Sequence, residues 1–325
     1  MNPNFKSCLF IGLSVLLTCW AVYQIIKLKT YVDILRNEAP ECTQNNPNTL
    51  ELMIGVTFIQ ICVQYPVQRI AKMMFSSSLP IHKFPLGSKI RHEKAEMIAE
   101  RVYKFFMYTC SSIGIFFVLK QGNFLHKYLM GNLEDPQYFV NYPCVKVPKH
   151  LDDVYVLKLS YHLYELCYSI LFHRDRRDFP EYILHHIITM VLILFSYSLN
   201  MLTLGAVIMF VADFTDCFVS LFKITADVMN DRVQFVTAAA MIISWTYFRI
   251  WFFPSQLMTA WYIQSSQSPH YVFQQTYVFF FAFLCGLQTL HIFWLFLMLK
   301  GILNRLTRKS DTQLILQSNK TEKIA

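Results

Sequence analysis

An all-α polytopic membrane protein is the fold class this sequence predicts, on three observations. Hydrophobic residues make up 54% of the 325 and charged residues only 15%, against about a quarter charged in ordinary soluble domains. Apolar runs near the length a helix needs to cross a bilayer recur from one end of the chain to the other. The basic residues fall mostly in the short segments between those runs. The net charge of +8 therefore belongs to loops at a membrane surface and does not mark a nucleic-acid partner.

About eight spans follow, at 8–26, 50–68, 102–119, 154–172, 181–199, 201–223, 233–253 and 272–299. The first has only Lys6 before it and no small-residue cleavage site, so it reads as a retained helix and not a signal peptide. Glu51, Gln60 and Gln64 interrupt the second, which makes it the most polar. The third follows the basic segment RHEKAEMIAERVYK, and the fourth carries KLSYHLYELCYSILF. The fifth, YILHHIITMVLILFSYSLN, and the sixth, GAVIMFVADFTDCFVSLF, are joined by a very short polar turn around Ser198 and Asn200. They must be antiparallel neighbours. The seventh holds Arg249 near its far end, and the eighth is long and aromatic. An even number of spans puts most of the 29 Lys and Arg on one side, together with both termini. The positive-inside rule makes that side cytosolic. The segment after Leu306 is polar and reads as a disordered tail. None of the nine cysteines shows metal-type spacing. Cys42 and Cys144 both fall in non-cytosolic loops, where pairing and two free thiols fit the sequence equally.

Titratable groups inside apolar runs carry the functional signal. At about 1.5 Å per residue, His185 and His186 lie roughly 6–8 Å below the start of the fifth span. Asp216 lies about 10 Å from the end of the sixth, with Asp213 one turn deeper. The imidazoles and carboxylates therefore share a depth in the cytosolic half. Asp213, Asp216, Ser220 and Lys223 follow i, i+3, i+7, i+10 and line one helical stripe, expected to face the bundle interior. Ionisable groups at such depth cost about 2.5–3.5 kcal/mol each, so each needs a partner or a wet cavity. Glu165 sits at similar depth in the fourth span, with Tyr161 and His162 one turn deeper; for Glu165 and His162 an interhelical hydrogen bond is explanation enough. Arg249 is expected far from this cluster, as a structural partner.

A histidine beside an aspartate is a means of holding a base in one tautomer and stabilising its protonated form. Such a site suits acyl transfer, with one histidine as base or as nucleophile. His185, His186, Asp213 and Asp216 are the candidate catalytic residues, with the aspartates orienting the pair and seating an amine. Arg174, Arg176 and Arg177 in RDRRDF either anchor the span or hold an anionic substrate head, since arginine forks suit phosphates. With Lys223 and Glu165 they are the candidate substrate-binding residues. No metal is expected: the pair at 185–186 is the only histidine cluster, whereas membrane di-iron oxygenases resemble one another in several spaced histidine boxes. A transporter or proton relay would bury similar groups, but no inverted repeat or broken-helix pair is evident.

The block RRDFPEYILHHIITMVLILFSYSLNMLTLGAVIMFVADFTDCFVSLFK resembles the signature of the TLC-domain ceramide synthases. The matching positions are Arg176, Arg177, Asp178, Phe179, Glu181, His185, His186, Ser196, Gly205, Asp213, Asp216 and Lys223. KLSYHLYELCYSILF, YFRIWFFP at 247–254 and IFWLFLMLKGILNRL at 292–306 resemble other helices of the family, so the likeness spans most of residues 50–306. Ala212 and Ser220 depart from the His and Glu common in animal members, and the form D-x-x-D-x-x-x-S-L-x-K looks like the fungal branch. The resemblance implies N-acylation of a sphingoid long-chain base by fatty acyl-CoA at the endoplasmic reticulum membrane. It implies no cofactor beyond acyl-CoA as co-substrate, and leaves open a small accessory membrane subunit or a homo-oligomer. On this reading residues 1–49 hold a first helix and non-cytosolic loop, and 50–101 a second helix and basic cytosolic loop. Residues 102–303 form a six-helix catalytic bundle, and 304–325 the cytosolic tail. The alternative is a non-enzymatic TLC-domain protein of the same membrane, associated with translocation or cargo.

Overall fold

The computed structural model describes residues 3–38, 49–174, 178–226 and 228–322. They form α1 (Pro3–Glu38), α2 (Thr49–Ser78), α3 (Lys89–Gln121), α4 (Leu151–Phe172), α5 (Phe179–Ser198), α6 (Leu202–Thr225), α7 (Asp231–Ser266) and α8 (Tyr271–Glu322). Each expected span coincides with one of these helices, the fifth and sixth overrunning theirs by one residue, Leu199 and Met201, at the turn between them. By length and apolarity, α3, α5, α6, α7 and α8 are able to cross a membrane. Large apolar side chains such as Leu16, Phe58, Phe235 and Val278 point outward, as lipid-facing surfaces do. One point differs from the sequence reading and one was left open by it. The segment 304–322, expected as a disordered tail, continues α8 as helix; it lacks any Gly or Pro to stop the helix, and polar composition alone does not break one. Cys144 is disulfide-bonded, and Cys42 lies outside the described residues.

Local chemistry sets where the helices start and turn. Ser88 caps α3 by accepting from the Arg91 backbone N–H at 3.2 Å. The Arg91 guanidinium donates to the carbonyls of Ser76, Ser77 and Phe84, tying the α2–α3 turn together. Pro180 opens α5, where its missing N–H costs nothing. Asn230 caps α7 through the Val233 N–H. Within α7, residues Thr246–Met258 wind as a π-helix around Pro254, so the helix passes a proline that would otherwise end it.

α6 is the most enclosed of the membrane-length helices. It packs against α3, α4, α5 and α7, while α1 lies on α5 and α8, and α2 on α3 and α4. One end of the bundle is sealed by the connection 122–150. There Thr203 Oγ1 donates to the Tyr138 carbonyl (2.6 Å), Tyr142 OH to the Leu199 carbonyl (2.9 Å), and Asn200 Nδ2 to the Pro143 carbonyl. Gln264 of α7 bridges the Tyr138 N–H and the Pro136 carbonyl. Phe139 and Tyr142 pack on Trp261 and Phe273 beneath this cap.

The α5–α6 turn is pinned by Tyr155 of α4. Its hydroxyl donates to the Leu202 carbonyl at 2.7 Å and lies 2.8 Å from Ser196 Oγ, which itself donates to the Met201 carbonyl. Gly205 gives these groups room: a Cβ there would stand 2.2 Å from Tyr155 Oη and 2.6 Å from Ser196 Oγ. Gly205→Ala should therefore destabilise the detergent-solubilised protein by about 1–3 kcal/mol. Gly286→Ala, whose nearest neighbour is Ile188 Cδ1 at 3.4 Å, should leave the thermal midpoint close to wild type. Equal midpoints for the two variants would contradict this account of the turn.

Candidate active site

A cavity of about 390 Å³ opens among α3 to α8, within the range of about 300–1,000 Å³ found for small-molecule sites. His185, His186, Asp213, Asp216 and Lys223 all line it. The depth match read from the α5–α6 hairpin thus brings the four candidate catalytic side chains to one cavity.

His186 is buried and held from two sides. Its Nδ1 lies 3.3 Å from Nδ1 of His162 on α4, and the Tyr182 ring packs edge-on at 4.5 Å. The Tyr182 hydroxyl donates to Glu165 Oε2 at 3.0 Å, and the same oxygen receives Lys104 Nζ at 2.8 Å. Lys104 also meets Glu100 at 2.9 Å. His185 faces a different neighbour, standing edge-on to Trp294 of α8 at 5.1 Å. Its Nδ1 is buried with no hydrogen-bond partner among the described residues.

The sequence reading expects the aspartates to orient the histidines. In the structure each carboxylate is committed to a cation. Asp213 receives Lys158 Nζ of α4 at 2.6 Å and Ser111 Oγ of α3 at 2.5 Å. Asp216 pairs with Arg249 Nη2 of α7 at 2.8 Å. Arg249 further donates to Thr215 Oγ1 (2.6 Å) and the Ala212 carbonyl (2.8 Å), and its guanidinium lies 4.2 Å from the centre of the Trp245 ring. This corrects the expectation that Arg249 lies far from the cluster. The expected span stopped at 253, before Pro254. The π-helical stretch carries α7 on to Ser266, which leaves Arg249 at mid-helix and aimed at α6.

The remaining candidates separate. Lys223 lines the cavity; Glu165 stands behind it and positions Tyr182 and Lys104. Arg174 is exposed and its Nε donates to the Ile170 carbonyl, away from the cavity lining. Arg176 and Arg177 lie outside the described residues. Among the described residues Arg101, Lys104 and Arg305 join Lys223 around the cavity, so cations from α3, α6 and α8 ring the end opposite the 122–150 cap. At the capped end an apolar extension of about 60 Å³ continues the cavity. The two share Thr189, Ile208, Met209 and Leu287, and the extension ends against Phe139, Trp261 and Phe280. Among the described residues no group of three or more His, Cys, Asp or Glu is placed to hold a metal ion.

The sequence reading gives His162 an interhelical hydrogen bond, and the structure shows one, to His186 of α5; which partner it meets follows from the same depth argument that placed the aspartates. α4 and α5 are antiparallel neighbours only a few residues apart in the chain, so residues equally distant from Arg174 share a depth, as His162 and His186 do. His291 and Trp294 of α8 carry no comparable signal, because nothing in a long apolar helix fixes its rotation about the others.

The family model described as the TLC domain matches residues 97–300, which take in most of α3 and continue into α8. Curated relatives agree. The chain is 28% identical over 212 residues to ceramide synthase 4 of Homo sapiens, covering 65% of this chain and 51% of the relative. It is 24% identical over 260 residues to ceramide synthase LOH2 of Arabidopsis thaliana, covering 78% and 84%. It is 25% identical over 224 residues to ceramide synthase hyl-2 of Caenorhabditis elegans, covering 66% and 65%. The chain spans about half the length of the mammalian relatives it matches. With more than half of its residues matched, over the helices that wall the cavity, the chain belongs to the TLC-domain family.

Proposed function

We propose that this protein is a ceramide synthase, joining the fatty acyl group of an acyl-CoA to the amine of a sphingoid long-chain base. The observation that carries the proposal is the grading of one cavity, from a cationic rim through two imidazoles to an apolar end lined by Phe139, Trp261 and Phe280. Each zone suits one part of the two substrates. The phosphates of a CoA thioester suit Arg101, Lys223 and Arg305. The thioester carbonyl then reaches His185 and His186, and the acyl chain runs toward Trp261. Names of the curated relatives support the same reading, and the non-enzymatic alternative has no supporting observation.

Net transfer forms the C–N bond and breaks the C–S bond, and the proton lost by the amine ends on the CoA thiolate. An imidazole is the side chain suited to carry that proton near neutral pH. Two imidazoles at one carbonyl serve either order of events. The amine attacks the thioester directly with histidine as base, or the acyl group passes first to an imidazole nitrogen. Acyl-CoA is a co-substrate, and no bound cofactor is invoked. The reading places the protein in the endoplasmic reticulum membrane with the cationic rim and both termini cytosolic. An accessory membrane subunit or a second copy is compatible with it.

Purified protein given acyl-CoA and a long-chain base should release ceramide and free CoA. His185→Ala and His186→Ala should each lower turnover by at least about 10²-fold while eluting as folded protein. Turnover retained in both variants would end the proposal. The apolar end makes a second prediction. Trp261→Leu should deepen the apolar extension, and from an acyl-CoA mixture the share of the longest chains should rise roughly tenfold, read by mass spectrometry of the products. An unchanged product distribution would show that the chain lies elsewhere.

A further inference from the structure

His162 and His186 face each other through the same kind of nitrogen, Nδ1 to Nδ1 at 3.3 Å, with both side chains buried. A hydrogen bond between two such atoms requires one to carry a proton and the other a lone pair. The two tautomers are therefore linked, and fixing one fixes the other. His186 has little freedom to break the contact. Tyr182 backs its ring at 4.5 Å, and Tyr182 is itself anchored through Glu165 to Lys104. His162 is restrained by Tyr161, whose hydroxyl donates to Tyr108 OH at 3.0 Å, and by the Lys158–Asp213 pair one turn earlier on α4.

From this juxtaposition we infer that His162 is a positioning residue for His186: its Nδ1 accepts the Nδ1 proton of His186 and so keeps a lone pair on Nε2 of His186, within the cavity wall. This rests on the acyl-transfer reading above and adds a residue to it. The role is the one a carboxylate commonly fills beside a catalytic histidine. Here both nearby aspartates are committed to Lys158 and Arg249, and a neutral imidazole takes the place beside His186.

The test is steady-state kinetics of ceramide formation by the full-length purified protein. His162→Asn keeps a side-chain acceptor near the Nδ1 position, whereas His162→Phe keeps the shape and removes it. For His162→Phe, kcat should fall on the order of 10–100-fold, with KM for both substrates within about twofold of wild type. For His162→Asn, kcat should recover most of that loss. His162→Gln, which keeps polarity but moves the amide away from the Nδ1 position, should behave like His162→Phe and replaces it if that variant does not fold. Equal impairment of His162→Asn and the other variants would overturn the positioning role. So would wild-type kcat in His162→Gln, or a loss confined to KM. If wild-type protein makes no ceramide, the acyl-transfer reading fails and this role with it. Turnover in wild type without rescue by Asn fails this inference alone.

Discussion

Two ion pairs inside the bundle, on successive turns of α6, carry the architecture of the site. Lys158–Asp213 ties α6 to α4, and Arg249–Asp216 ties it to α7. Lys158, Asp213 and Arg249 are almost wholly enclosed, where an unpaired charge is costly to hold. Each pair therefore acts as a register pin. If α4, α6 or α7 slid or rotated by a residue, a charge would lose its partner in an apolar surrounding. Ser111 of α3 adds a third helix to the Asp213 carboxylate. The apolar faces of these helices are non-directional and would tolerate many registers. The charges select one.

With α4, α6 and α7 fixed, the rest of the cavity follows. α5 is confined by short connections to α4 and α6. His186 accordingly arrives opposite His162, and His185 turns toward α8 and Trp294. The cap over 122–150 closes one end, where Trp261 and Phe280 limit the apolar extension. Cations gather at the other end from three separate helices. A polar head outside, a reacting carbonyl at mid-depth and an apolar chain inside fit that gradient. A long-chain acyl-CoA, the co-substrate proposed above, has these three parts in this order.

Much of this was legible in the sequence, for reasons that also explain what was not. Span positions and the shared depth of His185, His186, Asp213 and Asp216 follow from helical rise and from the short α5–α6 turn, both local properties. The partners of the aspartates are non-local. Lys158 and Arg249 sit in apolar runs far along the chain, and only packing shows that they meet α6. Arg249 was further hidden by Pro254, which reads as a helix end but is accommodated by the wider π-helical turn. The arginines of RDRRDF read either as an anchor of the span or as an anion site because they cluster in sequence. Among the described residues the cations at the cavity's rim come from α3, α6 and α8, each contributing one or two residues with no local clustering to betray them; Arg176 and Arg177 lie outside those residues.

The most direct test of this account is a double-mutant cycle on the pair that pins α4 to α6. Lys158→Met and Asp213→Leu should each strand a buried charge and lower stability by about 3–5 kcal/mol, read from thermal midpoints in detergent. The double variant, which removes both charges and fills their volume with apolar atoms, should regain most of that loss. Additive losses in the double variant would mean that the two side chains do not depend on each other, and the register-pin account of the site would be wrong.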